Sequence, residues 1–273
     1  SMTLRIFWDN RMLKYILAAY FWILFIATTC VLFSWLAVVH LYHKLFKPER
    51  LSEASHDVAV LWGRTLFALG PAWTHKVRGR ENLPAVDAEP YVMVANHSST
   101  ADIWALFLVG GQFRWLSKDA MFKVPLVGQA MRWAGYVSVT RGNKQSQYQA
   151  IETSRQWLRK GVSMAFFPEG TRSDDGEVKE FKVGAFRLAQ EENVMIVPVA
   201  LRGTRDMLVK NSGFPKKAHL DIEILPPVRS FEGEDSRAFA NRVQALLVSH
   251  LSRPTHAAAA QTHSLKKEAP QLS

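Results

Sequence analysis

The N-terminal quarter of the chain is patterned in long apolar stretches, not in alternation. Residues 15–39 read YILAAYFWILFIATTCVLFSWLAVV without one charged side chain, long enough as a helix to cross a hydrocarbon core of roughly 30 Å. This run predicts a membrane helix. Tyr15, Tyr20, Trp22 and Trp35 suit the two interfaces, and Arg11, Lys14, Lys44 and Lys47 flank the run. Lys and Arg are balanced on its two sides, so charge bias leaves the orientation open. A cleaved signal peptide is disfavoured, because the run is too long and no small-residue cleavage site follows it. A second apolar stretch, 58–73, is interrupted by Arg64 and by Gly70-Pro71, and its length suits an interfacial or core helix. Residues 1–73 therefore predict a membrane-anchoring helical hairpin, with its first helix either crossing the bilayer or lying in one leaflet.

Beyond residue 74 the pattern changes to short β-rich runs alternating with helical periods. Strands are expected at 91–95, 113–116, 136–140, 163–167, 194–201 and 219–225, most of them apolar or β-branched as buried strands require. Between them, residues 145–160 carry Ile151, Trp157 and Leu158 on one helical face with Gly161 as a stop. Phe239, Val243, Leu246, Leu247 and Leu251 recur at helical spacing before Pro254. The expected fold class is α/β, a mostly parallel mixed sheet flanked by helices, occupying residues 74–253. Residues 254–273 are expected to be a flexible tail. No internal repeat is found, and Ser1 before Met2 reads as a residual tag residue.

Composition narrows the partners. The chain has 273 residues, which suits one large core with an attachment. It is 48% hydrophobic with a formal charge of +10, spread without a dense basic run. That charge suits anionic lipid or the phosphates of coenzyme A, while dispersed cations beside an apolar anchor disfavour nucleic acid. Cys30 is the single cysteine, which excludes an intrachain disulfide and a Cys-based zinc site and is compatible with a reducing compartment.

The candidate chemistry begins where the run YVMVA ends in Asn96-His97-Ser98-Ser99-Thr100-Ala101-Asp102. A histidine and a carboxylate here leave the C-terminal end of a predicted strand, where α/β sheets bind ligands. On a continuous helix, residues five apart point about 140° away from each other, so a turn must intervene for them to meet. A helix starting at Thr100 with Ser99 as its cap would leave His97 free to fold back onto Asp102. Neutral imidazole then takes a proton from an alcohol, while the carboxylate fixes its tautomer. The same residues also satisfy a capping box, Ser99-x-x-Asp102, and on their own both readings stay open. No GxSxG elbow, HExxH or Cys pair is present, which argues against a serine acyl-enzyme and against a catalytic metal.

Further along come KDAMFKVPLVGQAMRWAGYVSVTRG (118–142) and Phe167-Pro168-Glu169-Gly170-Thr171-Arg172-Ser173. HxxxxD followed by FPEGTRS at this separation resembles the glycerolipid acyltransferase family, and most closely its 1-acylglycerol-3-phosphate acyltransferases, over about residues 75–228. The resemblance implies His97 as general base and Asp102 as its orienting partner. It implies that Arg141 contacts the acceptor phosphate, with Lys118 a further candidate, and that Glu169, Gly170, Thr171 and Arg172 hold the glycerol phosphate. Phe181-Lys182 resembles a frequent extension of the third block. Ile196-Val197-Pro198-Val199 resembles the family's apolar strand near the acyl-donor site. Ser138 and Thr140 depart from the more apolar or acidic residues of many members, which bears on the acceptor. By their chemistry, guanidinium groups can bind phosphate through paired hydrogen bonds.

The resulting expectation is acyl transfer from acyl-CoA or acyl-carrier protein to the sn-2 hydroxyl of lysophosphatidic acid, giving phosphatidic acid. No cofactor and no metal are expected. The expected setting is a membrane, with the catalytic domain on the cytoplasmic side of a bacterial inner membrane. The alternatives are the same chemistry on glycerol 3-phosphate or another lysophospholipid, and a non-catalytic membrane lipid-binding protein.

Overall fold

A computed structural model of the chain describes residues 2–253 except 71, 86–87, 174 and 209–213, and the side chains from residue 12 onward except that of residue 13. The tail at 254–273, Ser1 and Pro71 lie outside the described residues.

The hairpin is present and longer than its apolar core. Helix α1 (Met2–Phe46, 45 residues) is followed by a 3₁₀ turn at Pro48–Arg50 and helix α2 (Leu51–Ala68). Within α1, Lys14–Phe46 is long and apolar enough to cross a membrane by length and composition. The second helix differs from its expected span of 58–73. It starts at Leu51, within the polar stretch LSEASHD, and stops at Ala68, because Trp73 already belongs to strand β1 (Trp73–Arg78).

Six further strands follow: β2 (Val92–Ala95), β3 (Phe113–Lys118), β4 (Val137–Val139), β5 (Ser163–Phe166), β6 (Ile196–Arg202) and β7 (Ala218–Ile224). They form one seven-stranded sheet in the order β1-β7-β6-β2-β5-β3-β4. The pairing is parallel except between β6 and β7, so the sheet is mostly parallel and mixed as expected. β1 was not expected: its WTHKVR sequence is largely polar, and as an edge strand it buries mainly Trp73.

Helices cover both faces. The hairpin, α3 (Asp102–Val109) and α4 (Val127–Trp133) pack on one side, where Phe21, Leu66, Phe107 and Met131 share a core with Met93 and Leu220. Helices α5 (Lys144–Arg159), α6 (Gly184–Glu191) and α8 (Ser236–Leu251) cover the other with Leu158, Phe186 and Phe239. A short α7 (Thr204–Met207) follows β6. The long covering helices start on side-chain caps: Asn143 accepts from Ser146 N–H at 2.9 Å, and Asp235 accepts from Arg237 N–H at 2.8 Å.

Pro198 lies within β6, which is an interior strand. Val199 pairs with Ile224, whereas Ile196 bridges Val228, so residues 197–198 of β6 face residues 225–227, and the extra residue of this register slip lies on the segment after β7, not at Pro198.

Candidate active site

Strands β2, β5, β3 and β4 are parallel neighbours, so their C-terminal ends emerge side by side. His97 leaves β2, Phe167 to Arg172 leave β5, Lys118 ends β3, and Arg141 follows β4. Four sequence-distant segments are thereby brought to one rim.

His97 Nδ1 lies 2.7 Å from Asp102 Oδ2, and Asp102 is fully buried. An ionised carboxylate only accepts, so Nδ1 carries the proton and Nε2 presents its lone pair. The turn between them differs from the expected one. α3 begins at Asp102, not at Thr100, and Ser99 Oγ accepts from Ala101 N–H at 3.2 Å instead of capping the helix. Asp102 Oδ2 also accepts the backbone N–H groups of Ser98 and Ser99, each at 2.8 Å. The capping and catalytic readings thus describe the same carboxylate: it folds the loop and orients the ring. Phe167 stacks on the imidazole at 4.3 Å between centroids. Asn96 anchors the loop from beneath, exchanging two hydrogen bonds with the Leu201 backbone, at 3.0 and 2.8 Å.

His97 opens into a cavity of about 550 Å³. Four cations line it, Lys118, Arg141, Arg172 and Lys182, and no Asp or Glu is among the lining residues. Arg172 Nη1 is steadied by Thr100 Oγ1 at 2.7 Å, while Lys118, Arg141 and Lys182 enter no ion pair among the described residues. A second, almost wholly apolar cavity of about 260 Å³ lies between the hairpin and α3–α4. The two share Thr100, Ile103, Trp115 and Met121, so an apolar slot and a basic chamber lie on either side of a common wall.

Of the residues singled out from the sequence, His97, Lys118, Arg141, Gly170 and Arg172 line the chamber and Asp102 lies directly behind His97. Glu169, Thr171 and Pro198 are outside the lining. Glu169 is buried: Oε1 accepts His97 N–H at 2.7 Å and Oε2 accepts Lys179 N–H at 3.1 Å. That burial raises its carboxyl above the usual range, against the lowering effect of the two backbone donors. Pro198 is buried in the middle of β6 and Thr171 is exposed.

Lys182 is the lining cation to which the sequence reading gave no role. Its position depends on the loop from 168 to 182 closing on itself, with Lys182 N–H donating to Pro168 O at 2.9 Å. Gly170 makes room for it. A Cβ there would meet Lys182 Nζ at 2.6 Å, and the backbone sits at φ +70, a left-handed conformation suited to glycine.

Set beside this geometry, residues 74–202 match the model of the acyltransferase family. Over 196 residues the chain is 35% identical to the chloroplastic 1-acyl-sn-glycerol-3-phosphate acyltransferase of Arabidopsis thaliana, covering 71% of this chain and 54% of that protein. A Brassica napus chloroplastic enzyme of the same name is 38% identical over 157 residues, 58% of this chain and 45% of that one. The chain thus spans about half the length of these relatives. Among solved structures, that of the 1-acyl-sn-glycerophosphate acyltransferase PlsC from Thermotoga maritima superposes with a TM-score of 0.73 at 25% identity, covering 90% of this chain and 99% of that one.

Proposed function

We propose that this chain transfers a fatty acyl group from acyl-CoA or acyl-carrier protein to the sn-2 hydroxyl of 1-acyl-sn-glycerol 3-phosphate, forming phosphatidic acid. The observation that carries this reading is the His97–Asp102 pair, with His97 facing a chamber rimmed by cations that shares a wall with a slot lined by apolar side chains. The chamber suits a phosphate monoester, and the slot suits an acyl chain that would otherwise enter water at about 0.8 kcal/mol per methylene.

In this mechanism Arg141 and Arg172, with Lys118 and Lys182, hold the acceptor phosphate. His97 Nε2 takes the hydroxyl proton as the oxygen bonds to the thioester carbonyl carbon. The tetrahedral intermediate collapses with breakage of the C–S bond, and the leaving thiolate takes the proton back from the imidazolium. Nothing is oxidised or reduced, and no metal is required. General-base assistance is worth about 10²–10⁴-fold in rate, so His97→Ala should cost at least about 10²-fold in kcat. The assay is thiol release from acyl-CoA in purified membranes supplied with 1-acylglycerol 3-phosphate; a variant at wild-type rate sinks the mechanism. A panel of acceptors under the same donor tests the head group, and full activity on a phosphate-free acceptor would count against the cationic clamp.

Attachment follows from the hairpin. Ala18, Phe21, Phe25, Phe33, Leu36 and His40 recur along one side of α1 and face the catalytic domain, Phe25 against Trp104 and both Phe33 and His40 against Trp133. This stripe covers residues 18–40, roughly 33 Å of helix. A helix occupied by its own domain over that length lacks the all-round lipid contact of a spanning segment, while Tyr20, Ile23, Val31 and Val38 on its other side are exposed. The proposed seat is therefore in one leaflet, the cytoplasmic one, where the carrier thioesters are dissolved. Protease cleavage of tags at the two ends in sealed vesicles should occur from the same side; protection of one end alone would show a spanning helix.

A further inference from the structure

Glu169 is the acidic residue of the FPEGTRS block, and its place in the structure does not suit contact with a phosphate. It is buried, it is absent from the chamber lining, and among the described residues it pairs with no cation. Both of its oxygens are committed to backbone: one to His97 N–H at 2.7 Å, the other to Lys179 N–H at 3.1 Å. On the opposite side of the same peptide segment, Ser173 N–H donates to His97 O at 2.9 Å. His97 is therefore held by the 169–173 turn at its own N–H and C=O, by Asp102 at Nδ1, and by Phe167 across the ring face.

We infer that Glu169 is a positioning residue for His97, acting through the histidine backbone and not on the acceptor phosphate. This inference rests on His97 being the base of the reaction proposed above. The chemistry explains why a carboxylate stands there. Two N–H donors, ten residues and seventy-two residues away in sequence, converge on one side chain, and a carboxylate supplies an acceptor oxygen to each. Glutamine supplies one acceptor and turns an NH₂ group against the second donor. The result is a hydrogen-bonded link between the two sequence blocks: Glu169 couples the turn after β5 to the backbone N–H of the base itself. Displacing a base by about 1 Å is enough to cost about 10²-fold in rate.

The test uses the full-length protein in membranes or detergent, with acyl-CoA and 1-acylglycerol 3-phosphate. Glu169→Gln should lower kcat by about 10²-fold and leave KM for both substrates within about 3-fold. Introduced into His97→Ala, it should cause no further loss of the residual rate and no change in the affinity of 1-acylglycerol 3-phosphate, because its effect passes through the missing ring. Glu169→Asp, which keeps both acceptor oxygens on a shorter arm, should give an intermediate kcat, and it serves in the same measurements if the glutamine variant does not fold. A raised KM for the acceptor with kcat intact overturns the inference, as does a further loss on the His97→Ala background. Failure of the underlying reading is seen separately, as wild-type protein that does not turn over 1-acylglycerol 3-phosphate or His97→Ala that still does.

Discussion

At the scale of single residues, Asp102 carries two loads that substitution can separate. Its Oδ2 takes the imidazole and two backbone N–H groups. Asp102→Asn keeps an acceptor oxygen but removes the charge that stabilises the imidazolium, so kcat should fall by about 10²-fold or more while the fold persists. Asp102→Ala leaves three donors without an acceptor and should also destabilise by roughly 3 kcal/mol or more, read as a lowered thermal midpoint in detergent. Gly170→Ala is a test of the phosphate rim: it imposes a left-handed alanine, a cost of about 1–2 kcal/mol, and pushes Lys182 aside, so the acceptor KM should rise. The His97–Asp102 pair was legible in the sequence as one of two open readings of a histidine and a carboxylate after a strand, and the later FPEGTRS block chose between them. The partners of Glu169 were not, since they are backbone atoms of residues that only the folded sheet brings near. Lys182 was visible as part of a motif extension, but its direction is set by the closure of a loop.

At the scale of elements, the joint between α2 and the sheet has a pH dependence. His56 on α2 is buried against Tyr136 O–H at 3.0 Å and Gly111 O at 3.2 Å. A carbonyl only accepts, so Nε2 holds the proton, Nδ1 accepts from tyrosine, and the ring is neutral. Burial, aided by the nearby Arg114 charge, lowers its pKa from 6.5 to about 3. As pH falls the unfolded chain therefore takes up this proton first. The contribution of His56 is complete above about pH 6.5 and is lost on the way down toward pH 3, at roughly 1.4 kcal/mol per pH unit. Denaturant titrations of wild type across that range should show the slope, and His56→Phe should flatten it; an unchanged slope would remove His56 as its cause. Elements with strong apolar periods were read from the sequence to within two residues, as with β3, β5 and α5. Those that depend on a neighbour were not. The polar strand β1 exists because β7 offers it a parallel ladder, and the polar first turns of α2 are fixed by contacts such as Ser52 Oγ with the buried Arg114.

At the scale of the whole molecule, a basic chamber beside an apolar slot predicts a salt effect confined to one substrate property. Raising ionic strength should increase KM for the phosphorylated acceptor through screening of the exposed cations, with kcat little changed. Arg141→Ala should show a higher KM at low salt and a weaker salt dependence; an acceptor KM indifferent to both salt and substitution would deny the rim its role. The α/β class with a mostly parallel mixed sheet was readable from the alternation of strand and helix patterns, whereas the side of the sheet taken by the hairpin was not, because an apolar run does not say what covers it. The stripe of α1 against the domain has one more consequence. On the proposed reaction and the proposed single-leaflet seat, the two-chain product is delivered to one monolayer alone, its second chain drawn from a carrier in water, so each turnover enlarges one side of the bilayer. The opposite side then grows only as fast as some separate step carries lipid across, and unequal area between the two sides is built into the act of synthesis.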